Sequence, residues 1–267
     1  MKSLNTIVCV KLVSAANGTK SSLDVYAANR DATDLSVNPF DLYAVEEGLR
    51  IREQTNGKAT VISMGIPAVA DKLKDMIAMG ADEAILLSDP AFAGSDALAT
   101  AYALAMGIRK IADYGLVICG KQAIDGDTAQ VGPALAEQLG IPHVTNVRRI
   151  EEINESQIRC QRMTDDGYEV IAMSLPAVIS VVKEINDPRL PSLKGMMRSK
   201  KAVIPVWSAE EIEADKNQCG LAGSPTLIAS TYVPVRETKS EMIDGEPDEQ
   251  ARTLVDKLLS MQRKAAN

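Results

Sequence analysis

The sequence predicts an α/β protein built on a doubly wound, mostly parallel sheet. Short apolar runs alternate with helical patterns up to Gly140, which is typical of parallel strands covered by helices on both faces. The chain has 267 residues, 46% hydrophobic and 24% charged, so it can bury the sizeable core that such a fold needs. Ligands of these sheets bind outside the carboxyl ends of the strands.

The first part of the chain contains four predicted strands and four predicted helices. Apolar, largely β-branched runs predict strands at 6–13, 59–64, 83–87 and 115–119. Helices are predicted to begin at Asn38–Pro39 and to cover 67–79, 96–114 and 129–139. Asn38 is the expected cap of its helix and Pro39 the first helical residue. The polar segment 14–37 is expected to be a loop with a short hairpin.

The pattern changes after Gly140. Alternating residues predict antiparallel strands at 148–153, 157–163 and 168–174, with a tight turn at 165–167, followed by a buried strand at 176–182. Segment 186–201 carries two prolines and a basic cluster. The scattered apolar residues from Val206 onward cannot form a core alone, so 206–267 is predicted to be an extended arm that wraps a partner chain. Its last part, about 248–263, has helical amphipathic spacing.

Charge and cysteine usage exclude several functions. A net charge of -7 and an aromatic content of 3% argue against a nucleic-acid partner. Cys9 and Cys119 lie in strand-like runs and are expected to be buried, inert thiols. With no C-x-x-C pair, neither a metal site nor a disulfide framework is expected. No signal peptide or membrane-spanning run is found, so a cytoplasmic protein is predicted.

The segment 120–132, GKQAIDGDTAQVG, is the strongest candidate site. It joins a predicted strand to a predicted helix, whose start offers unpaired N–H groups and the positive end of a dipole to a phosphate. The N–H groups of 128–131 are predicted to bind a pyrophosphate, with the Thr128 hydroxyl and Gln130 amide as further donors. The segment matches neither phosphate-loop fingerprint. An ordinary capped loop that binds nothing is the alternative.

Individual residues of this loop receive separate predictions. Asp125–Gly126 is a turn signal, and Asp127 or Thr128 is the expected helix cap. Because a carboxylate repels phosphate, Asp125 or Asp127 is assigned to ribose hydroxyls or to loop structure. Gly132 is expected to allow close approach of the backbone.

Other strand ends offer further candidates. The backbone of Val10–Lys11 is expected to pair with an adenine edge. The alternative is a plain strand backbone with a solvated Lys side chain. Asn38 and Asp41 are a cap and a first-turn acid. Met64–Gly65 is either a point of close approach to a ligand or a tight turn.

Four segments together resemble the beta subunit of electron transfer flavoproteins. They read VCVKLV, NPFDLYAVEEGLRIRE, GKQAIDGDTAQVGP and RMTDDGYEVIAMSLPAVIS. The last is similar to the family signature, filled here by Arg162, Asp165, Asp166, Glu169, Ile171 and Pro176. Cys160 departs from the small or aliphatic residue usual in that pattern.

The resemblance implies a Rossmann-like, adenine-nucleotide-binding domain at 1–205 and an arm at 206–267 that packs on an alpha subunit. It implies a cofactor site formed by Cys9, Val10, Lys11, Asn38, Asp41, Met64, Gly65, Gly120, Lys121, Gln122, Asp125, Gly126, Asp127, Thr128, Ala129, Gln130, Val131 and Gly132. The expected cofactor is AMP in simple carriers and FAD in flavin-bifurcating members. The segment GDTAQVGP resembles the sequence of the bifurcating group at this place.

The resemblance also implies redox partners. NADH is the expected electron donor, and ferredoxin and an acyl-CoA dehydrogenase-like protein are the expected acceptors. Segment 186–201 resembles a recognition loop whose docking residues are Leu193, Lys194, Arg198, Lys200 and Lys201. No residue of this chain is expected to act as an acid, base or nucleophile, so the chain is an electron-transfer subunit. A non-bifurcating carrier with structural AMP is the alternative.

Overall fold

The structure, a computed structural model, describes residues 3–14, 35–229 and 240–265. The strands are β1 (Thr6–Cys9), β2 (Leu12–Ser14), β3 (Leu35–Val37), β4 (Ala59–Met64), β5 (Glu83–Leu87), β6 (Leu116–Gly120), β7 (His143–Ile153), β8 (Gln157–Thr164), β9 (Gly167–Ser174), β10 (Ala177–Val181) and β11 (Val206–Trp207). The helices are α1 (Pro39–Thr55), α2 (Val69–Met79), α3 (Ala97–Ile111), α4 (Val131–Leu139), α5 (Leu193–Lys201) and α6 (Pro247–Ala265).

Nine of these strands form one sheet in the order β11-β5-β4-β1-β6-β10-β7-β8-β9. The pairings from β11 to β7 are parallel, and β8 and β9 continue the sheet as antiparallel strands. The predicted α/β class with a mostly parallel sheet is therefore confirmed. The predicted antiparallel strands at 157–163 and 168–174 and the turn between them are also present, as β8, β9 and residues 165–166. The strand predicted at 148–153 is the second part of β7, which begins at His143 and pairs parallel with β10 in its first part.

Helices cover the parallel part on both faces, because successive side chains of each strand point in opposite directions. Val8 of β1 packs in a cluster with Val45 of α1 and Leu73 of α2. Ile7, its neighbour in the chain, packs in a second cluster with Ala105 of α3 and Leu135 of α4. Both faces of β1 are thus buried, which explains why its four residues are apolar or β-branched.

The strand order reverses at β1. The chain places β4 and then β5 on one side of β1, and later places β6 on its other side. The connections that leave β1 and β6 therefore diverge from each other. They leave a crevice at the carboxyl ends of these two strands, where doubly wound sheets bind their ligands.

The single strand predicted at 6–13 is wrong. β1 ends at Cys9, and residues 12–14 form β2, which pairs antiparallel with β3 in a separate two-stranded sheet. The chain leaves the main sheet because the N–H of Lys11 donates to the carboxylate of Asp41 at 2.7 Å instead of to a neighbouring strand. The hairpin predicted within 14–37 falls largely on 15–34, outside the described residues.

One predicted helix cap is confirmed in position only, and another is wrong. Asn38 is the N-cap residue of α1 and Pro39 its first helical residue, as predicted, but the Asn38 side chain makes no capping hydrogen bond. Helix α4 begins at Val131, after Gln130, rather than at residue 129, and neither Asp127 nor Thr128 caps it. The positive φ angles of Asp127 (48°) and Ala129 (54°) interrupt the right-handed helical conformation.

The segment after Pro205 differs from a simple arm in its first part. β11 pairs with β5, and Ala209, Ile212 and Cys219 are buried in the cluster that contains α3. The chain divides into two compact units, Met1–Thr231 and Tyr232–Asn267. Residues 206–229 thus belong to the first unit, although the sequence predicted a boundary at Val206. The second unit contains α6, which includes the predicted final helix.

Candidate functional site

The candidate site lies where the sheet order reverses. Three segments meet there: residues 10–11 after β1, the loop 120–130 after β6, and the first turn of α1 with the preceding Asn38. Hydrogen bonds between their side chains and backbones join all three. Met64 is the last residue of β4, which lies directly beside β1, and Gly65 follows it.

Asp41 joins the first turn of α1 to the segment after β1. Its carboxylate is buried and accepts a hydrogen bond from the N–H of Lys11 at 2.7 Å. Burial raises the pKa of Asp41 to about 7, against the opposing effect of hydrogen bonds from the Lys11 backbone, the Asn38 side chain and the Gly120 backbone. Asp41 is therefore a structural carboxyl beneath the crevice, and its ligand contact stays a prediction.

Asn38 holds the loop that follows β6. Its Nδ2 donates to the carbonyl of Gln122 at 2.8 Å, and its Oδ1 accepts from the N–H of Ile124 at 3.3 Å. The side chain is buried and uses both ends of its amide. This role takes the place of the predicted capping hydrogen bond, since the side chain bonds none of the backbone N–H groups that begin α1.

The glycines of the site serve different purposes. A Cβ at Gly120 would lie 2.3 Å from Oδ1 of Asp41, so glycine is required for α1 to approach β6. A Cβ at Gly65 would meet Val69 at 3.0 Å, whereas one at Gly126 would meet nothing within 4 Å. A Cβ at Gly132 would face Ser180 and Cys119 of the sheet at ordinary contact distances. The side of Gly132 that would carry a Cβ thus faces the sheet.

The acidic side chains of the loop have partners within the site. Lys11 donates from Nζ to Asp125 at 2.6 Å, which joins the segment after β1 to the loop. Asp127 accepts from Nε2 of Gln122 at 2.9 Å. The structure thus gives both carboxylates loop contacts, one of the two roles predicted for them. The Lys11 ammonium also offsets the negative charge of Asp125 beside the predicted phosphate position.

The backbone between the loop and α4 presents free donors. In the described part of the chain, no group accepts a hydrogen bond from the N–H of Thr128, Ala129 or Gln130. Ala129 has a φ of 54° and Gln130 a right-handed conformation with φ −99° and ψ −20°. Such alternation directs successive N–H groups into one anion-binding concavity. These residues are exposed and immediately precede the first turn of α4.

Other predicted site residues have their polar backbone groups engaged. The N–H of Val10 donates to the carbonyl of Ile62 at 2.9 Å, and the N–H of Lys121 donates to Val181 at 2.9 Å. The Lys11 N–H is taken by Asp41. Donation from Val10 or Lys11 to an adenine edge would therefore require these bonds to break. That predicted contact remains untested.

The two thiols near the site are buried on neighbouring strands. Cys9 of β1 is in register with Cys119 of β6, and both are free thiols. A hydrogen bond with Cys119 and burial raise the pKa of Cys9 well above its ordinary value. A protonated, buried thiol is a poor nucleophile, which agrees with the inert role expected for Cys9.

The predicted recognition loop contains helix α5. Leu193, the first residue of α5, is 74% exposed. Lys194, Lys200 and Lys201 are exposed as well. Arg198 is exposed too, but its Nη2 donates to the carbonyls of Ile77 and Ala81 at the end of α2. Its guanidinium therefore fastens α5 to α2, a role that residue order alone did not indicate.

Sequence reasoning missed the side chains that fasten the start of this loop. Asn186 and Arg189 contact Glu46, Glu47 and Glu53 of α1. The only signal in the sequence is an acidic face on α1 and an Arg beside prolines. Nothing in the spacing pairs residues so distant along the chain.

Comparison with known proteins gives consistent matches. A family model described as "Electron transfer flavoprotein domain" matches residues 25–212. The chain is 44% identical to "Electron transfer flavoprotein subunit beta" of Thermoanaerobacterium thermosaccharolyticum, a match that covers 96% of this chain and 98% of the relative.

Two further relatives carry different names. "Caffeyl-CoA reductase-Etf complex subunit CarD" of Acetobacterium woodii is 40% identical, over 96% of this chain and 98% of the relative. "Protein FixA" of Azorhizobium caulinodans is 36% identical, over 98% of this chain and 96% of the relative. Among the described residues, no helix has the length and apolar character needed to cross a membrane.

Proposed function

This chain belongs to the electron transfer flavoprotein family, in its beta-subunit group, and from that premise we propose that it binds FAD in a bifurcating heterodimer. The heterodimer would take electrons from NADH and deliver them to two acceptors, ferredoxin and an acyl-CoA dehydrogenase-like partner. We also propose that the heterodimer is cytoplasmic. The chain is one subunit of an enzyme complex and not a complete enzyme.

The observation that carries the nucleotide proposal is the position of the free donors. The N–H groups of 128–130, for which the described residues provide no acceptor, precede α4 at the point where the strand order reverses. Doubly wound sheets bind nucleotides at this point, and a helix start favours the negative charge of a pyrophosphate. The residues present therefore fit the phosphate groups of a nucleotide.

Each neighbouring side chain has a role in such binding. The Thr128 hydroxyl and Gln130 amide would add donors beside the phosphates. The Lys11 ammonium offsets the Asp125 carboxylate, and Asn38 fixes the loop through both its amide atoms. When bound, FAD would supply hydride acceptance and one-electron transfer. The chain itself would bind, orient and shield the cofactor.

Two observations favour FAD and a CoA-ester partner. The loop reads GDTAQVGP, which is similar to the bifurcating group. One relative, 40% identical, is named as a subunit of a caffeyl-CoA reductase-Etf complex. We propose that an oxidoreductase of a CoA ester likewise docks on the basic helix α5 of this chain.

A simple electron carrier with structural AMP is the second candidate. The free N–H groups before α4 fit one phosphate as well as two, so this part of the structure supports AMP equally. The subunit would then scaffold the heterodimer and dock the dehydrogenase without a flavin of its own.

Counting the cofactors decides between the two. The chain is coexpressed with its alpha subunit, the purified heterodimer is denatured, and released FAD and AMP are quantified by chromatography. Two FAD per heterodimer are expected. One FAD with one AMP would establish the simple carrier, and no nucleotide beyond one FAD would contradict the nucleotide site.

A variant assigns the second nucleotide to this chain. Thr128→Val removes a predicted phosphate donor while it keeps the shape of the side chain. We expect the second nucleotide to be bound about tenfold more weakly, the effect of one lost hydrogen bond to a charged group. The matched control Thr164→Val, at the end of β8, should bind as the wild type does.

A further inference from the structure

Two side chains tie the segment before α5 to helix α1. Nδ2 of Asn186 donates to the carbonyl of Tyr43 and to Oε2 of Glu47, both at 3.0 Å. Arg189 donates to Glu46 from Nε at 2.8 Å, from Nη2 at 3.1 Å and from its backbone N–H at 3.2 Å. Its Nη2 also donates to Oε2 of Glu53 at 3.1 Å.

The carboxylate that receives Arg189 is buried. The Glu46 side chain is 3% exposed and also accepts from Nε of Arg50 at 2.8 Å. Burial pushes the pKa of Glu46 upward, but hydrogen bonds from Arg189 and Arg50 outweigh it and leave the pKa below its ordinary value. A planar guanidinium that bonds two carboxylates fixes direction as well as distance, which a lysine cannot reproduce.

Two exposed apolar side chains follow Arg189 in the chain, one at the next residue and one at the start of α5. Leu190 is 87% exposed and Leu193 is 74% exposed. We call residues 190–197 the docking segment. Ordering a free loop on binding costs about 1–2 kcal/mol of conformational entropy per residue, and a segment that is already ordered avoids much of that cost.

We propose that Arg189 is a positioning residue that fixes the docking segment, so that Leu190 and Leu193 project together as two apolar anchors for the partner protein. The proposal rests on the proposed function, because the docking role of this segment is part of it. Arg189 acts through the backbone that it holds. Leu190 would enter the interface beside Leu193, with Lys194 at the rim of the contact.

Hydrogen exchange tests the positioning directly. Amide exchange across 190–197 is measured by mass spectrometry on the purified heterodimer, for wild type, Arg189→Gln and Arg50→Gln. The control variant, Arg50→Gln, removes the other positively charged partner of the buried Glu46 carboxylate and leaves the docking segment untouched. Exchange in Arg189→Gln is expected to be about tenfold faster, equivalent to about 1.4 kcal/mol. The control should stay within about twofold of wild type. Equal exchange in the two variants would overturn the proposal.

Kinetics test the link to docking. The rate of electron delivery is measured against the concentration of the acyl-CoA dehydrogenase that the wild-type heterodimer reduces. Arg189→Gln and Leu190→Ala should each raise the KM for that protein at least about fivefold, with kcat and cofactor content unchanged. Leu190→Ala should do so without faster exchange, because it leaves the anchor intact.

The outcomes separate this proposal from the one on which it rests. If Leu193→Ala raises the KM while Arg189→Gln and Leu190→Ala do not, the segment docks but the present proposal is wrong. If none of the three variants changes the KM, the docking role itself is wrong. The exchange experiment then still decides whether Arg189 fixes the segment.

Discussion

At the scale of single residues, Asp41 and Asn38 show how the site is held. Both were expected near the nucleotide, one as a first-turn acid and the other as a cap. Both occupy these positions, and their side chains join α1 to residues 10–11 and to the loop after β6. A carboxylate or an amide can contact a nucleotide or hold two segments of the fold together. Only the backbone groups that face the side chain decide which role it has.

Asp41 should make stability depend on pH. The ordinary pKa of an aspartate is 3.8, and the fold raises that of Asp41 to about 7. Between these pH values the native state therefore binds more protons than the unfolded state. Stability should therefore fall as pH rises from about 4 to about 7, and then level off. Asp41→Asn should remove this decline, about 4 kcal/mol in total for about 3 pKa units at about 1.4 kcal/mol per unit.

The measurement is urea denaturation of wild type and variant at several pH values between 5 and 8. The variant should show the flatter profile and the higher relative stability at pH 8. Parallel profiles would mean that Asp41 is not the titrating group.

At the scale of elements, close approach explains where glycine is needed. The first turn of α1 lies against the end of β6, and Gly120 leaves the room for it. Helix α5 approaches α2 in the same way, since a Cβ at Gly195 would lie 2.0 Å from the carbonyl of Ala78. The sequence marked Gly120 as part of a ligand loop, but its contact with Asp41 is a packing requirement.

Gly120→Ala and Gly126→Ala form a matched pair in the same loop. The first places a Cβ 2.3 Å from Asp41 and 2.7 Å from the backbone of Phe40, so we expect a loss of about 2–3 kcal/mol through overpacking. The second meets nothing within 4 Å and should change stability by less than about 0.5 kcal/mol. Chemical denaturation measures both, and comparable losses would refute the packing argument.

At the scale of the whole molecule, the chain consists of two compact units. The first extends to Thr231 and includes β11 with the buried residues Ala209, Ile212 and Cys219. The second contains α6, on which Leu254, Val255 and Leu258 are exposed. Exposed apolar side chains on one helix fit the proposed packing on an alpha subunit.

Truncation tests where the first unit ends. Removal of 232–267 should leave its unfolding midpoint near that of the full chain, because its core is complete. Removal of 206–267 should cost about 2 kcal/mol or more, since β11 and three buried side chains are lost from the core. Thermal unfolding followed by circular dichroism measures both. Equal midpoints for the two truncations would place the boundary at the predicted Val206.

Most of the fold followed from hydrophobic periodicity, which is a local property. Continuous apolar runs placed β4, β5, β6 and β10, and alternation placed β8 and β9, within a few residues. The parallel strand β11 lies in the segment predicted as an arm. Errors concentrated where side chains far along the chain decide the local structure. β1 ends early because Asp41 takes the Lys11 N–H, and α4 starts late because of the positive φ at Ala129.

The sequence by itself determined the α/β class, the family resemblance and the loop 120–132 as the candidate site. The local spacing of apolar residues and the sequences of the motifs carry that information. Only the tertiary structure decided that the strand order reverses between β1 and β6, that Asn38 and Asp41 hold the site together, and that Arg189 anchors the docking segment to α1. These contacts join residues distant along the chain, and their pairing depends on packing geometry that periodicity does not encode.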